Sequence, residues 1–470
     1  MTRLSVGRPP NREHRDDRDQ GGRDHSAVPA GSALALLRAR TSSSPMVRNT
    51  SAQVANQVLS LAVGIVTFAL AGRALGAQQY GELATALTMS GLAAVALDGG
   101  IDTFVVTKLA ASRDADPRSR HARQLVSDAV LARTAVGILA VAAALLVSLL
   151  FGYGPTLVLG VLLLSLAALT GAVGTIPLDI YQARRDMIPS TVVGLVGRIL
   201  SALLVLSLFG AGSLTLVGMY LTVIAGSAAT VLATVAWLRT TGFALSLPSV
   251  TRARALQWAA LPLATWVILG QVVHRADILV LSAVPVGVST GFTNESAVGI
   301  YSAAYKMYDL SIGLPGFLLA TLLPTMAALH ATDVQGFVRY FSGWTVRAVG
   351  LGLVIAVAVA LVGGPAVVLL AGSSFTKSAT IVPILSLTIP FAYGTTVLYG
   401  ALVAIDRTRG LVGLYLGAAL FNVCLNVLLA PRYAVWSAAW LTVATQVLLL
   451  LGMAWMLRRY WRGLAWKHLI

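Results

Sequence analysis

Gln271-Val272-Val273-His274-Arg275-Ala276-Asp277 places charge inside an otherwise apolar run from about Trp258 to Val284. About 20 apolar residues cross the hydrocarbon core of a bilayer, so the run reads as a membrane-spanning helix. An Arg or Asp at the centre of such a helix costs roughly 2.5–3.5 kcal/mol on insertion scales. Charged groups there turn toward protein or a watery cavity. The stretch therefore predicts both a polytopic helical fold and a polar interior.

Composition extends that reading to the whole chain. Its 470 residues are 57% hydrophobic and only 11% charged, with a mean hydropathy of +0.80. Soluble domains carry about 25% charged residues. The formal net charge of +16 does not point to nucleic acid, because the cations cluster between apolar runs as they do in cytoplasmic loops. The single cysteine, Cys424, excludes an intrachain disulfide and a cysteine-rich metal site; it reads as a packing residue.

Residues 1–45 differ from the rest: arginines alternate with acids among Gly, Ser and Pro, the profile of a disordered basic tail. Asp17-Arg18-Asp19 has the D-x-D spacing of some metal-binding glycosyltransferases, but in such a tail it reads as solvated charge. Ala33–Leu37 is too short to span, and the first true span reads as an uncleaved signal anchor. Twelve apolar runs follow, at about 50–72, 83–107, 127–150, 155–180, 188–209, 213–238, 258–284, 298–326, 344–371, 378–405, 410–430 and 434–457. Gly363-Gly364-Pro365 predicts a kink or an interfacial end in the ninth.

With alternating crossings, the great majority of the 34 lysines and arginines fall on the tail's side. Arg133 is counted there as a loop flank. Arg73, Lys377 and Arg432 fall opposite, and Arg198, Arg275 and Lys306 fall within spans. Such asymmetry predicts both termini in the cytoplasm. Tyr80–Met89 aligns with Val298–Met307, and Tyr220–Val223 with Trp440–Val443, at nearly one offset. The expected fold class is thus an all-α polytopic membrane protein of about twelve transmembrane helices. It forms two six-helix lobes, 46–240 and 241–470, related as a parallel repeat. Such repeats are typical of transporters that alternate access about a site between the halves.

Several stretches carry a family resemblance: Arg48-Asn49-Thr50, Leu75-Gly76-Ala77-Gln78-Gln79-Tyr80-Gly81, Asp98-Gly99-Gly100-Ile101 with Lys108-Leu109-Ala110, and Arg275-Ala276-Asp277-Ile278-Leu279-Val280-Leu281 followed by Val298-Gly299-Ile300-Tyr301. Over about residues 46–460 the chain resembles bacterial polysaccharide-biosynthesis (Wzx-type) flippases of the multidrug/oligosaccharidyl-lipid/polysaccharide exporter superfamily. Asp98-Gly99-Gly100 stands where Asp-Leu-Gly is commoner, and the charged tail is unusually long. The resemblance implies a protein that moves a polyprenyl-diphosphate-linked oligosaccharide across the bacterial inner membrane for cell-surface polysaccharide assembly. Its partners would be that glycan lipid, membrane lipids and polysaccharide assembly proteins. No nucleic acid, metal or cofactor is implied, and the driving force is left open among H+, Na+ and the membrane potential.

A flippase makes no bond; it needs a hydrated, cationic cavity. Arginine suits a diphosphate, being always charged and able to donate two hydrogen bonds to phosphate oxygens. Arg198, about ten residues into the fifth span with no acid within a turn or two, is the first candidate. Its alternative is a structural bond to carbonyls or to an acid on another helix. Arg275 with Asp277, and Lys306 with Asp309, lie at similar depths in the seventh and eighth spans. They read as a salt-bridged quartet tying two helices together, with Arg275, Gln271 and Lys306 as substrate ligands in the second reading.

His274 is either a group titrating near neutral pH or a hydrogen-bonded structural histidine. Asp98 and Asp102, one helical turn apart, are either solvated interface residues or a pair for proton or sodium coupling. Tyr301, Tyr305 and Tyr308 read first as an aromatic interface belt, and second as a sugar-stacking face.

Rival functions are a peptidoglycan-precursor flippase, a cation-coupled multidrug antiporter, an envelope scaffold, or a membrane polymerase, ligase or glycosyltransferase. A drug-cation exporter favours acids over arginines in its cavity. An enzyme needs a sizeable external loop, and the longest here is about Pro285–Ala297, with Glu295 its only acid. No P-loop or H-E-x-x-H spacing occurs. The expected protein is therefore a transporter and not an enzyme.

Overall fold

The computed structural model describes residues 45–98, 100–112 and 116–461. The tail ahead of Pro45, with Asp17 and Asp19, lies outside the described residues, as does Lys467. Among the described residues there is no strand. The main helices are α1 (Pro45–Asp98), α2 (Ile101–Ser112), α3 (Arg120–Leu150), α4 (Pro155–Thr175), α5 (Asp179–Ala183), α6 (Ile188–Gly210), α7 (Leu216–Thr241) and α8 (Val250–Ala283). They continue with α9 (Asn294–Ser311), α10 (Gly313–Thr332), α11 (Val334–Ala371), α12 (Thr376–Ser386), α13 (Thr388–Ala404), α14 (Arg409–Tyr433) and α15 (Val435–Trp461). In hydrocarbon every backbone polar group must be satisfied within its own segment, and helix achieves this.

Nine helices among the described residues are long and apolar enough to cross a membrane, or ten if the bent pair Ser373–Ser386 and Thr388–Ala404 is one span. The expected twelve is therefore not the number that length and apolarity return. The first two expected runs share one segment, Ala55–Ser112, and α8 is not among the nine. That segment turns at Gly76, whose φ of 64° is left-handed. Phe68 and Tyr80 then meet with ring centroids 5.7 Å apart, whereas a straight helix would separate them by about 18 Å along its axis. A residue with a Cβ would be strained at Gly76.

Ends are set by short polar side chains. The Ser119 hydroxyl accepts from Ala122 N and that of Thr215 from Gly218 N. Thr293 and Ser296 form a reciprocal capping box, and Asp333 accepts from Gly336 N at 2.8 Å. The kink expected at Gly363-Gly364-Pro365 does not break α11, which runs through it. The two glycines let α12 approach instead: a Cβ on Gly364 would stand 2.9 Å from the Ala379 carbonyl oxygen. The α6–α7 crossing uses the same device. A Cβ on Gly197 would lie 2.4 Å from Gly226 O, the close backbone approach typical of helix pairs in lipid.

Large apolar side chains such as Leu139, Leu150, Leu361 and Leu369 face outward. This is a lipid-facing exterior, and the protein is a multi-pass membrane protein. Inside, one cluster gathers Val161, Met219 and Tyr220, and another gathers Tyr301, Phe337, Phe341 and Tyr393. Helix α8 joins different parts of the interior. Its Ala253, Leu256 and Ala260 pack with Ile101 and Val126 near its start, and its Ile278 and Leu281 pack with Tyr301 near its end.

Three expectations change here. Tyr301, Tyr305 and Tyr308 are buried, so they are core rather than interface belt; i, i+4, i+7 spacing on a helix enclosed by neighbours gives an interior stripe. Cys424 is exposed, not packed. Arg133, counted as a loop flank, is 1% exposed inside α3.

Residues that the charge asymmetry placed opposite the tail do share one end. Arg73 Nε and Nη2 donate to Leu370 O at 2.8 Å and Leu369 O at 2.7 Å. Lys377 Nζ donates to Gly291 O at 3.4 Å, and Gly287 N to Pro431 O at 2.9 Å. At that end the backbones touch: a Cβ on Gly81 would lie 1.8 Å from Glu295 O, and one on Gly299 would lie 1.8 Å from Ala77 O.

Candidate functional site

Three helix faces enclose a cavity of about 260 Å³. The arm of α1 after Gly76 contributes Tyr80, Ala84, Leu87, Thr88 and Gly91 at helical spacing. Helix α8 adds Gln271, Arg275 and Ile278, and α9 adds Ser302, Tyr305, Lys306 and Asp309. Spacings of three and four residues put each set on one side of its helix. Four of the sequence candidates, Gln271, Arg275, Lys306 and Asp309, thus fall on one wall.

The cavity holds two cations and one acid. Arg275 Nη2 lies 3.7 Å from Asp309 Oδ2, both partly exposed, and its guanidinium lies 6.0 Å from the Tyr305 ring. Lys306, one turn before Asp309, has no ion pair within 4 Å among the described residues. Ser302 Oγ and Tyr305 Oη are buried with no protein partner. Such a wall presents a net positive charge and two free hydroxyls beside the apolar surface of Leu87, Leu92, Val95 and Ile278.

The expected quartet forms only in part: Arg275 and Asp309 pair between α8 and α9, and Asp277 does not join them. Two residues on a helix are separated by about 200°, so Asp277 faces away from Arg275. Its carboxylate is 1% exposed and accepts from Asn426 Nδ2 at 2.6 Å, Thr442 Oγ1 at 2.7 Å and Tyr301 Oη at 2.9 Å. Asn426 Nδ2 also donates to Asn422 Oδ1 at 3.1 Å, and Asn422 Nδ2 to Thr445 Oγ1 at 3.2 Å. The outer oxygen of Asn426 is buried without a partner. Of these neutral partners only Tyr301 was singled out from the sequence, and for another role; the rest were not. Their signal was Asn422 and Asn426 at i, i+4 within an apolar run, a polar stripe that membrane burial makes costly.

His274 lies on a further side of α8 and lines a separate cavity of about 290 Å³ with Tyr308, Tyr399, Tyr415 and Gln446. Asp98 and Asp102 are not merely solvated. Both pair with the buried Arg133, Asp102 at 2.7 Å, while Arg133 Nη1 donates to Ala172 O at 3.1 Å. A third acid, Asp179 in α5, is 2% exposed with one carboxylate oxygen unpartnered.

Arg198 is outside the cavity. It is exposed and donates to Asn56 Oδ1 at 3.0 Å and to the Ser60 hydroxyl of α1. It is neither buried nor without neighbours, because Asn56 and Ser60 lie far off in sequence and their approach follows only from how α1 packs.

The profile of a family described as "Polysaccharide biosynthesis protein" matches residues 46–330.

The chain belongs to that family.

Its fold is that of the MOP superfamily. A multidrug resistance MATE family transporter in an inward-facing conformation aligns at a TM-score of 0.68 and 13% identity, over 85% of this chain and 94% of that one. Lipid II flippase MurJ in an inward closed conformation aligns at 0.62 and 12% identity, over 86% and 87%. A MOP superfamily transporter from Pyrococcus furiosus, described as having a binding pocket of reverse polarity, aligns at 0.56 and 14% identity, over 88% and 94%. A search of curated proteins found no significant match.

Proposed function

We propose that the protein is a flippase that moves a polyprenyl-diphosphate-linked oligosaccharide from the inner to the outer leaflet of the bacterial cytoplasmic membrane by alternating access, with both termini in the cytoplasm. The carrying observation is the cavity with Arg275 and Lys306 against one acid, Asp309. A diphosphate exchanges for Asp309 as the partner of Arg275, and Lys306 supplies a second charge. Ser302, Tyr305 and Gln271 offer hydrogen bonds to sugar hydroxyls. An excess of cations disfavours a cationic drug through like-charge repulsion.

The same chemistry serves a lipid-linked peptidoglycan precursor, so cargo is decided by assay. Reconstituted protein is offered a fluorescent polyprenyl-diphosphate oligosaccharide and, separately, a peptidoglycan-precursor lipid. Faster protection of the oligosaccharide from external quencher supports the proposal. Transport of the precursor alone overturns it in favour of the second reading.

Coupling is assigned to the Asp277 shell. One buried carboxylate ringed by hydroxyls and asparagine amides suits a proton or a monovalent cation such as Na+, since hard cations take oxygen ligands. The unpartnered Asn426 oxygen supports this fit, since turning that amide would bring its oxygen beside the carboxylate as a further ligand for a bound cation.

A further inference from the structure

At the end of α14 and α15 that carries the C-terminal arginines, a cavity of about 640 Å³ is lined by Arg407, Arg458, Arg459, Trp455, Leu414 and Met456. No carboxylate lines it. This sets its three exposed arginines apart from those that face an acid: Arg133 faces Asp98 and Asp102, Arg252 faces Asp128, and Arg275 faces Asp309. Among the described residues Arg407, Arg458 and Arg459 have no ion pair.

The site is built rather than incidental. Arg458 stacks on Trp455, 4.1 Å from the ring centroid, and Arg459 lies 5.1 Å from that of Tyr460. Both guanidinium planes are thereby held in place. Arg407 N donates to Leu402 O at 2.9 Å, which fixes the turn that carries it. The floor is apolar and tight, with Gly410 against Met456 and Gly452 against Leu414. Leading away from the arginines, Leu451, Leu448 and Trp455 share one exposed side of α15 at i, i+3 and i+7 spacing. A cationic mouth above an exposed apolar stripe has the outline of a phospholipid.

We infer that the Arg407–Arg458–Arg459 cavity binds the phosphate headgroup of an anionic phospholipid of the inner leaflet, with the acyl chains along Leu451 and Leu448. The leaflet rests on the orientation proposed above; the ligand class does not. Basic pockets between transmembrane helices on the cytoplasmic side suit such headgroups, and arginine matches phosphate with paired donors. The site is separate from the cavity of Arg275 and Lys306, so this lipid is a bound neighbour and not cargo.

The test is native mass spectrometry of the full-length protein in detergent, with dioleoylphosphatidylglycerol, dioleoylphosphatidylcholine or undecaprenyl diphosphate added. Wild type should retain the glycerol lipid at least tenfold more than the choline lipid, and R407Q/R458Q/R459Q should lose that preference. R458Q alone, with two cations left, should lose part of it, which keeps the test decisive if the triple variant does not insert. Undecaprenyl diphosphate retention should be unchanged in both. Equal retention of the glycerol lipid by wild type and variants overturns the inference, as does selective loss of undecaprenyl diphosphate. Failure of the transport reading leaves the glycerol-lipid result intact.

Discussion

Arg275 and Asp309 face each other across 3.7 Å between α8 and α9, in the wall of the cavity that α1 closes. The pair is loose, beyond hydrogen-bonding distance and partly open to the cavity. A loose pair is a displaceable one, because little is lost when a phosphate takes the carboxylate's place. Asp309→Asn should therefore tighten binding of a polyprenyl-diphosphate lipid and slow its release. Lys306→Ala should weaken binding by about tenfold, the effect of losing one charge-assisted hydrogen bond of about 1.5 kcal/mol. Lipid retention and export, measured side by side, check both directions.

Asp277→Asn preserves shape but removes the charge at the centre of its shell. If that shell holds a monovalent cation, Na+ should raise the thermal midpoint of wild type and leave the variant unmoved, because a ligand stabilises only the state that binds it. A midpoint of wild type indifferent to Na+ and K+ alike overturns the monovalent-cation reading of the site.

Arg133→Met leaves Asp98, Asp102 and Asp179 facing one another without their guanidinium. Removing one partner of a buried pair costs roughly 3–5 kcal/mol. Asp98 and Asp102 are 49% and 43% exposed, so solvent takes up part of that, and about 2 kcal/mol is expected. Unfolding in detergent should show it, and Arg133→Lys should restore part.

Gly81→Leu should prevent closure at the end that carries Arg73 and Lys377, since even a Cβ there meets the Glu295 carbonyl at 1.8 Å. A Thr88→Cys probe in the cavity, with Cys424 replaced by Ser, should then become reactive to a membrane-impermeant maleimide added outside. Unaltered protection of Thr88→Cys would show that the glycine contact is not the seal.

Arg198→Gln should leave most export intact. Its present partners are the neutral Asn56 and Ser60, and a glutamine amide can donate to either. Loss of export with normal insertion would return Arg198 to the substrate path.

The helices were legible because apolar runs must be helical in lipid; the expected runs at 188–209 and 410–430 fall on α6 and α14. The cavity wall of Gln271, Arg275, Lys306 and Asp309 was legible because intramembrane charge is costly and helical spacing gathers it. The quartet was misread where depth was used without angle: Asp277 shares the height of Arg275 but the opposite side of α8. Arg133 was misread because a run's edge in sequence is not its edge in space; α3 begins at Arg120 and carries residue 133 well inside. The partners of Asp277 lie up to 165 residues away, and one-dimensional spacing does not register such approaches.

Arg73 grips the chain it meets by carbonyls alone, those of Leu369 and Leu370, where α11 runs out of amide partners for them. Main-chain oxygens are the same whatever side chain follows. Position 369, exposed to lipid, is thus free to drift, while Leu370, packed against the core, Gly72, packed on Ala371, and Arg73 itself are not. The grip of Arg73 is written in the path of the α11 backbone, and it should survive replacement of the Leu369 side chain.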